Sequence, residues 1–78
     1  MASTKELVEF IVKSLVDDPS QVYVSEINGE NAVILEVRVG PEDMGRVIGK
    51  DGRTVNAIRT LVKVLAARQG KRVTLELL

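Results

Sequence analysis

Residues Gly45–Val62, GRVIGKDGRTVNAIRTLV, decide how the rest of the chain is read. Three glycines and a lysine stand directly ahead of a long segment with helical apolar spacing. Glycine lets a chain turn sharply and lets another backbone come close. Free amides at the start of a helix point partial positive charge outward, which suits an anion such as phosphate. Nucleotides, dinucleotides and nucleic acid backbones all carry phosphate, so the spacing must choose among them.

Two nucleotide signatures fail. The Walker motif needs four residues between its first glycine and the Gly-Lys pair, followed by Ser or Thr for magnesium. Gly45 to Gly49 leaves three, and Asp51 follows Lys50. The dinucleotide fingerprint needs G-x-G-x-x-G directly after a strand, and Gly49 with Gly52 supplies only its last half. What remains is a G-x-x-G loop between two helices.

The flanking sequence supplies those helices. On the C-terminal side, Val55, Ile58, Val62, Leu65 and Ala66 form one helical stripe of a segment running from about Arg53 to Arg68, and Gly70 closes it. On the N-terminal side, Pro41 suits a first helical position, with Glu42 and Asp43 at the positive end of the dipole. That short helix, residues 41–48, runs into the loop. Further upstream, QVYVSEI and NAVILEVRV are rich in β-branched residues and flank NGEN, which predicts two strands joined by an Asn-Gly turn. Val33, Leu35, Val37 and Val39 share one face of the second strand. Before them, Ser3 and Glu6 predict a capping box opening a first helix. Leu7, Val8, Ile11, Val12 and Leu15 form its apolar face, and DDPS stops it, since Pro19 turns Asp18 away from helical angles. KRVTLELL alternates as a last strand. The order is α-β-β-α-α-β: one α+β domain over residues 1–78, with a three-stranded sheet and three helices packed against one face.

Composition narrows the chemistry. The 78 residues include no cysteine and no histidine, so no disulfide, thiolate nucleophile or zinc site is expected, and no cofactor. Without a histidine for proton transfer near neutral pH, an enzyme is not the expectation. No apolar run reaches signal-peptide or membrane-spanning length, which predicts a cytoplasmic protein. The net charge of zero conceals an asymmetry. Residues 1–43 carry three basic and nine acidic side chains, a net of −6, and residues 44–78 carry eight against two, a net of +6. Both halves could simply be solvated, yet the basic residues gather around the glycine loop.

VIGKDGRTV, Val47–Val55, resembles the signature of the KH domain, in which a glycine pair clamps the backbone of about four nucleotides of a single strand. The element order is that of the type II KH fold, and the single-domain length resembles the small stand-alone bacterial KhpA family. That resemblance implies RNA binding with little sequence selectivity, as an RNA chaperone or post-transcriptional regulator bearing on cell division and cell shape. It also implies a homodimer, or a heteromer with a KhpB/Jag-type KH protein. By the same resemblance, Gly49, Lys50, Asp51 and Gly52 form the clamp, with Arg46, Arg53 and Arg59 tracking the strand. Val47 and Ile48 support or line the base groove. Asp51 offsets part of the Lys50 charge, and its side chain suits a cap on the following helix. Phe10 and Tyr23 are the only aromatics, which excludes a stacking sheet of the RRM kind. It also removes a contribution of about 1–3 kcal/mol per stacked base, so a single domain should bind weakly. A protein-interaction module that binds little RNA is the alternative.

The last helix also carries more apolar surface than one core contact needs. Ala57, Leu61 and Val64 form a second stripe beside the first, widening the apolar arc to about 200°. Either the short helix of residues 41–48 covers this stripe or it is a surface for self-association or for a partner protein.

Overall fold

The computed structural model describes residues 3–78. Its elements are α1 (Thr4–Leu15), β1 (Tyr23–Asn28), β2 (Ala32–Arg38), α2 (Met44–Ile48), α3 (Arg53–Arg68) and β3 (Arg72–Leu77). Single 3-10 turns fill Pro19–Gln21, Pro41–Asp43 and Lys50–Gly52. The α+β class and element order are those expected from the sequence.

The sheet is mixed, in the order β1-β2-β3. β1 runs antiparallel to β2, and β3 runs parallel to it. Side chains of paired residues share a face, so Val24, Val37 and Leu77 point the same way, as do Val33 with Val73 and Leu35 with Leu75. These residues are buried or half-buried beneath the helices, whereas Tyr23, Ile27, Ile34, Arg38, Thr74 and Glu76 on the opposite face are exposed. Three helices therefore cover one face and leave the other open.

The core is built from small β-branched side chains. Val8 and Val12 of α1 meet Leu35 and Val37 of β2 and Val55, Ile58 and Val62 of α3 in one buried cluster. Val is stiff at χ1 and loses little rotamer freedom when it packs. That economy suits a chain this short, which buries only about 60% of its unfolded surface. Both aromatics lie outside the core, Phe10 on α1 and Tyr23 on β1.

Helix ends follow the sequence closely. Ser3 Oγ accepts from the Glu6 amide at 3.1 Å, the first half of the expected capping box. At the end of α3, Gly70 takes φ +71°. The Gly70 amide donates to Ala67 and the Lys71 amide to Ala66, the two bonds of a Schellman cap.

Two expectations need correction. The hairpin turns at Glu30-Asn31 rather than Asn28-Gly29: Asn28 still pairs with Val33, and the Gly29 amide donates to the Ala32 carbonyl at 2.7 Å. An Asn-Gly turn would need positive φ at both residues, and neither has it. The register that buries Val24, Val33, Leu35 and Val37 together places the turn. Gln21, expected in the first strand, instead closes a 3-10 turn. Asp18 accepts there from the Ser20 amide at 3.2 Å and from Gln21 Nε2 at 2.8 Å.

Candidate nucleic-acid interface

The loop between α2 and α3 is shaped by its own glycines. Gly49 ends α2 at φ 75°, ψ 171°, a region essentially closed to other residues. Its amide donates back to the Gly45 carbonyl at 2.9 Å. A methyl group at Gly49 would overlap the Thr54 hydroxyl and come within 2.9 Å of the Thr54 amide nitrogen. Gly49 is thus required by the close approach of the first turn of α3, before any ligand is considered. Asp51 follows in the left-handed region, φ 57°, and Gly52 at φ 76° leads into α3. Aspartate tolerates that conformation better than most residues.

No side chain among the described residues caps α3, whose N-cap is Gly52. Asp51 therefore does not serve as the helix cap expected of it: its left-handed backbone lies ahead of the cap position. Among the described residues no side chain occupies the amides at the start of α3, beside an exposed Lys50, while the Gly52 and Arg53 amides donate to the Gly49 and Lys50 carbonyls within the turn. Lys50 and Arg53 have no carboxylate partner among the described residues.

The other site residues divide. Arg46 is drawn away: its Nη2 lies 2.8 Å from Asp17 Oδ2 and its Nε 3.2 Å from Asp43 Oδ1. Asp43 is buried, 4% exposed, and also accepts from the Asp17 and Asp18 amides at 3.0 and 3.1 Å. This carboxylate staples the α1–β1 connection to the start of α2. Val47 is 1% exposed and supports the loop from beneath, so it offers no surface to a ligand. Ile48, the next residue, is exposed at the rim. Arg59 is half-buried, donating Nε to the Leu75 carbonyl at 3.3 Å and Nη1 to Asn56 Oδ1 at 3.1 Å. It ties α3 to the edge strand β3.

That tie reveals a surface the sequence reading did not contain. Two adjoining clefts run between α3 and β3, of ≈ 200 and ≈ 370 Å³. They share Lys63, Val73 and Thr74, and add Arg59 at one end with Lys71 and Arg72 at the other. Apolar Val73 and Leu75 form the floor and cations form the walls. A positive, partly apolar track of this kind suits a strand that offers phosphates on one side and bases on the other. The basic count of residues 44–78 was the available signal; placing it required the parallel return of β3 along α3.

The second stripe of α3 is uncovered. Ala57, Leu61 and Val64 are exposed, Leu61 at 54% and Val64 at 56%, so α2 does not lie over them. Among the described residues no helix is long and apolar enough to cross a membrane.

A family model described as KhpA/KhpB, KH domain, matches residues 5–77. The chain belongs to the KhpA/KhpB KH-domain family. Within that family it is 57% identical over 74 residues to the RNA-binding protein KhpA of Clostridium perfringens, a match covering 95% of this chain and 99% of the relative. It is 46% identical over 78 residues to RNA-binding protein KhpA of Aquifex aeolicus, covering 100% and 99%. Among solved structures, Era in complex with MgGDPNP and a segment of 16S ribosomal RNA superposes with a TM-score of 0.61 at 24% identity. That match covers 95% of this chain and 28% of the Era chain, and it shows a shared fold.

Proposed function

We propose that this KhpA/KhpB-family chain binds single-stranded RNA. The backbone is held at Gly49, Lys50, Asp51 and Gly52, and the strand continues past Arg53 into the track between α3 and β3. The observation that carries this reading is the start of α3, which no side chain among the described residues caps, set beside exposed Lys50, which forms no ion pair among them. Backbone amides and Lys50 would hold phosphate there, and Ile48 with the apolar floor of the track would receive bases. The relatives named for RNA binding point the same way. The family resemblance adds to this reading a role as RNA chaperone or post-transcriptional regulator in the cytoplasm.

Filter binding with mixed-sequence single-stranded RNA tests the clamp. Lys50→Asp reverses the charge at an exposed position, where substitutions rarely change stability by more than about 0.5 kcal/mol. Affinity should fall at least tenfold while the melting temperature stays put. Undiminished RNA binding by Lys50→Asp sinks the clamp.

The exposed Ala57, Leu61 and Val64 stripe favours a protein partner as well, either a second copy or a KhpB/Jag-type KH protein. Two-fold pairing through α3 would present two loops to one RNA and give weak sites an avidity advantage. Leu61→Lys should yield a folded monomer with poorer binding to long RNA and unchanged binding to a four-nucleotide fragment. Sedimentation showing a monomeric wild type, together with full binding of Leu61→Lys to a KhpB-type partner, removes this interface.

A further inference from the structure

The clefts beside the two helices that flank the glycine loop carry opposite charge. Beside α2 lies a cleft of ≈ 360 Å³ whose lining includes Asp17, Asp18, Glu42 and Asp43, with Arg46 its sole cation among the described residues. Beside α3 lies the track lined by Arg59, Lys63, Lys71 and Arg72, with no carboxylate in its walls. A phosphate entering from the α2 side would meet Asp17, Asp18 and Glu42, with Asp43 buried beneath them.

Arg46 does not offset them, because it is already engaged. Its Nη2 faces Asp17 at 2.8 Å, and its Nε faces the buried carboxylate of Asp43 at 3.2 Å. Asp43 holds two backbone amides besides, yet Arg46 is the only cation within ion-pair distance of it among the described residues. Withdrawing the guanidinium toward a ligand would leave a buried charge without its counterion, which is strongly unfavourable. Arg46 stands three positions before Gly49 and still belongs to the scaffold rather than to the binding surface.

On the reading that the loop clamps RNA, we propose that the clamp is one-sided. Asp17, Asp18, Glu42 and Asp43 form an acidic wall that closes the α2 side, and Asp17 and Asp43 hold Arg46 out of the phosphate track. The strand leaves the loop only along α3 and β3. Asp17, exposed and holding the outer nitrogen of Arg46, is the residue whose removal opens the wall. Asn at that position keeps the backbone amide that Asp43 accepts.

The test is a fluorescence titration of a labelled mixed-sequence single-stranded RNA at several salt concentrations. It compares wild type with Arg46→Gln, Asp17→Asn, their double variant, Lys63→Gln, and Glu30→Gln as a net-charge control in the distant hairpin turn. Arg46→Gln should keep wild-type affinity within about twofold and the same salt slope, while Lys63→Gln should flatten the slope by about 0.7. Asp17→Asn should tighten binding about threefold or more and steepen the slope by about 0.7, as the outer nitrogen of Arg46, freed of Asp17 while Nε stays on Asp43, gains a phosphate. The double variant should lose that gain, and Glu30→Gln should not reproduce it. A flatter slope in Arg46→Gln, or no gain in Asp17→Asn beyond that of Glu30→Gln, overturns the one-sided clamp. Should Arg46→Gln fail to fold, Asp17→Asn and Glu42→Gln decide alone, since both must exceed the Glu30→Gln control. Wild-type protein that binds no RNA at low salt overturns the RNA reading itself, an outcome distinct from any of these.

Discussion

Residues 1–43 and residues 44–78 treat their charges in opposite ways. In the first part several of the acids are put to structural use. Glu9 lies within 4.0 Å of both Lys5 and Lys13, Asp18 closes a 3-10 turn, and Asp43 staples two connections from inside the molecule. In the second part only Arg46 meets a carboxylate, and both its partners come from the first part. Lys50, Arg53, Arg59, Lys63, Arg68, Lys71 and Arg72 form no ion pair among the described residues. A net charge of zero therefore describes no face of this molecule. Cations left without counterions remain free to meet a polyanion such as the proposed RNA strand, whereas acids placed within hydrogen bonds hold the fold.

The strongest way to break the contrast is to remove its pivot. Asp43→Ala deprives the Asp17 and Asp18 amides and Arg46 of their shared acceptor, and should cost about 3 kcal/mol of stability. Urea unfolding measures it, and a loss below about 1 kcal/mol would mean that the staple holds nothing.

Gly49→Ala comes next, at about 2 kcal/mol, because alanine is strained at that backbone angle and its methyl meets Thr54. Adding Thr54→Ala should recover only part of the loss, since the angle remains unfavourable. Full recovery in the double variant would assign the whole cost to the overlap.

In the second part, Lys63→Gln and Arg72→Gln should move stability by no more than about 0.5 kcal/mol. Each should lower the salt slope of RNA binding by about 0.7. A melting temperature that falls with either change would show that these cations are structural after all, and the contrast would weaken.

The smallest effect belongs to Asp18. Hydrogen bonds from Gln21, and then from Ser20, hold its carboxyl below the ordinary value of 3.8. A depressed folded-state pKa gives stability that is complete above that ordinary value and is lost as pH falls through the folded value. Acid melts below about pH 4 should therefore show a shallow extra loss. Asp18→Asn should remove it; an acid limb that is identical in the variant would leave Asp18 no part in it.

Local signals carried most of the fold into the sequence. α3 spans Arg53–Arg68, as its apolar period and Gly70 require, and Ser3 caps α1 as its spacing with Glu6 suggests. Those features depend on residues three or four positions apart. What was not legible depends on distant neighbours. Arg46 reads as a loop-flanking cation until Asp17, 29 positions away, is folded beside it. Gly49 reads as room for a ligand until Thr54 fills the same space. Lys63 and Arg72 belong to one track because β3 returns parallel to β2 along α3, and no short-range pattern encodes that return. The hairpin turn slipped by two residues for a related reason: burial of the valine rows set the register, and the turn residues followed it.

The parallel pairing of β2 and β3 also sets when the track comes into being. β1 and β2 meet across a two-residue turn, so their ladder can zip locally and early. Every β2–β3 pair, from Ala32 with Arg72 to Val37 with Leu77, joins positions 40 apart, and the glycine loop lies in the middle of that excursion. Closing such a span is the slow kind of event, because chain entropy is lost before the contacts that repay it exist. The floor of the track, Val73 and Leu75, arrives only with that closure. A chain leaving the ribosome thus has its hairpin before it has the track proposed to receive RNA. Since β3, Arg72–Leu77, follows the other elements in chain order, the track is completed only after the hairpin, the glycine loop and α3 have been made.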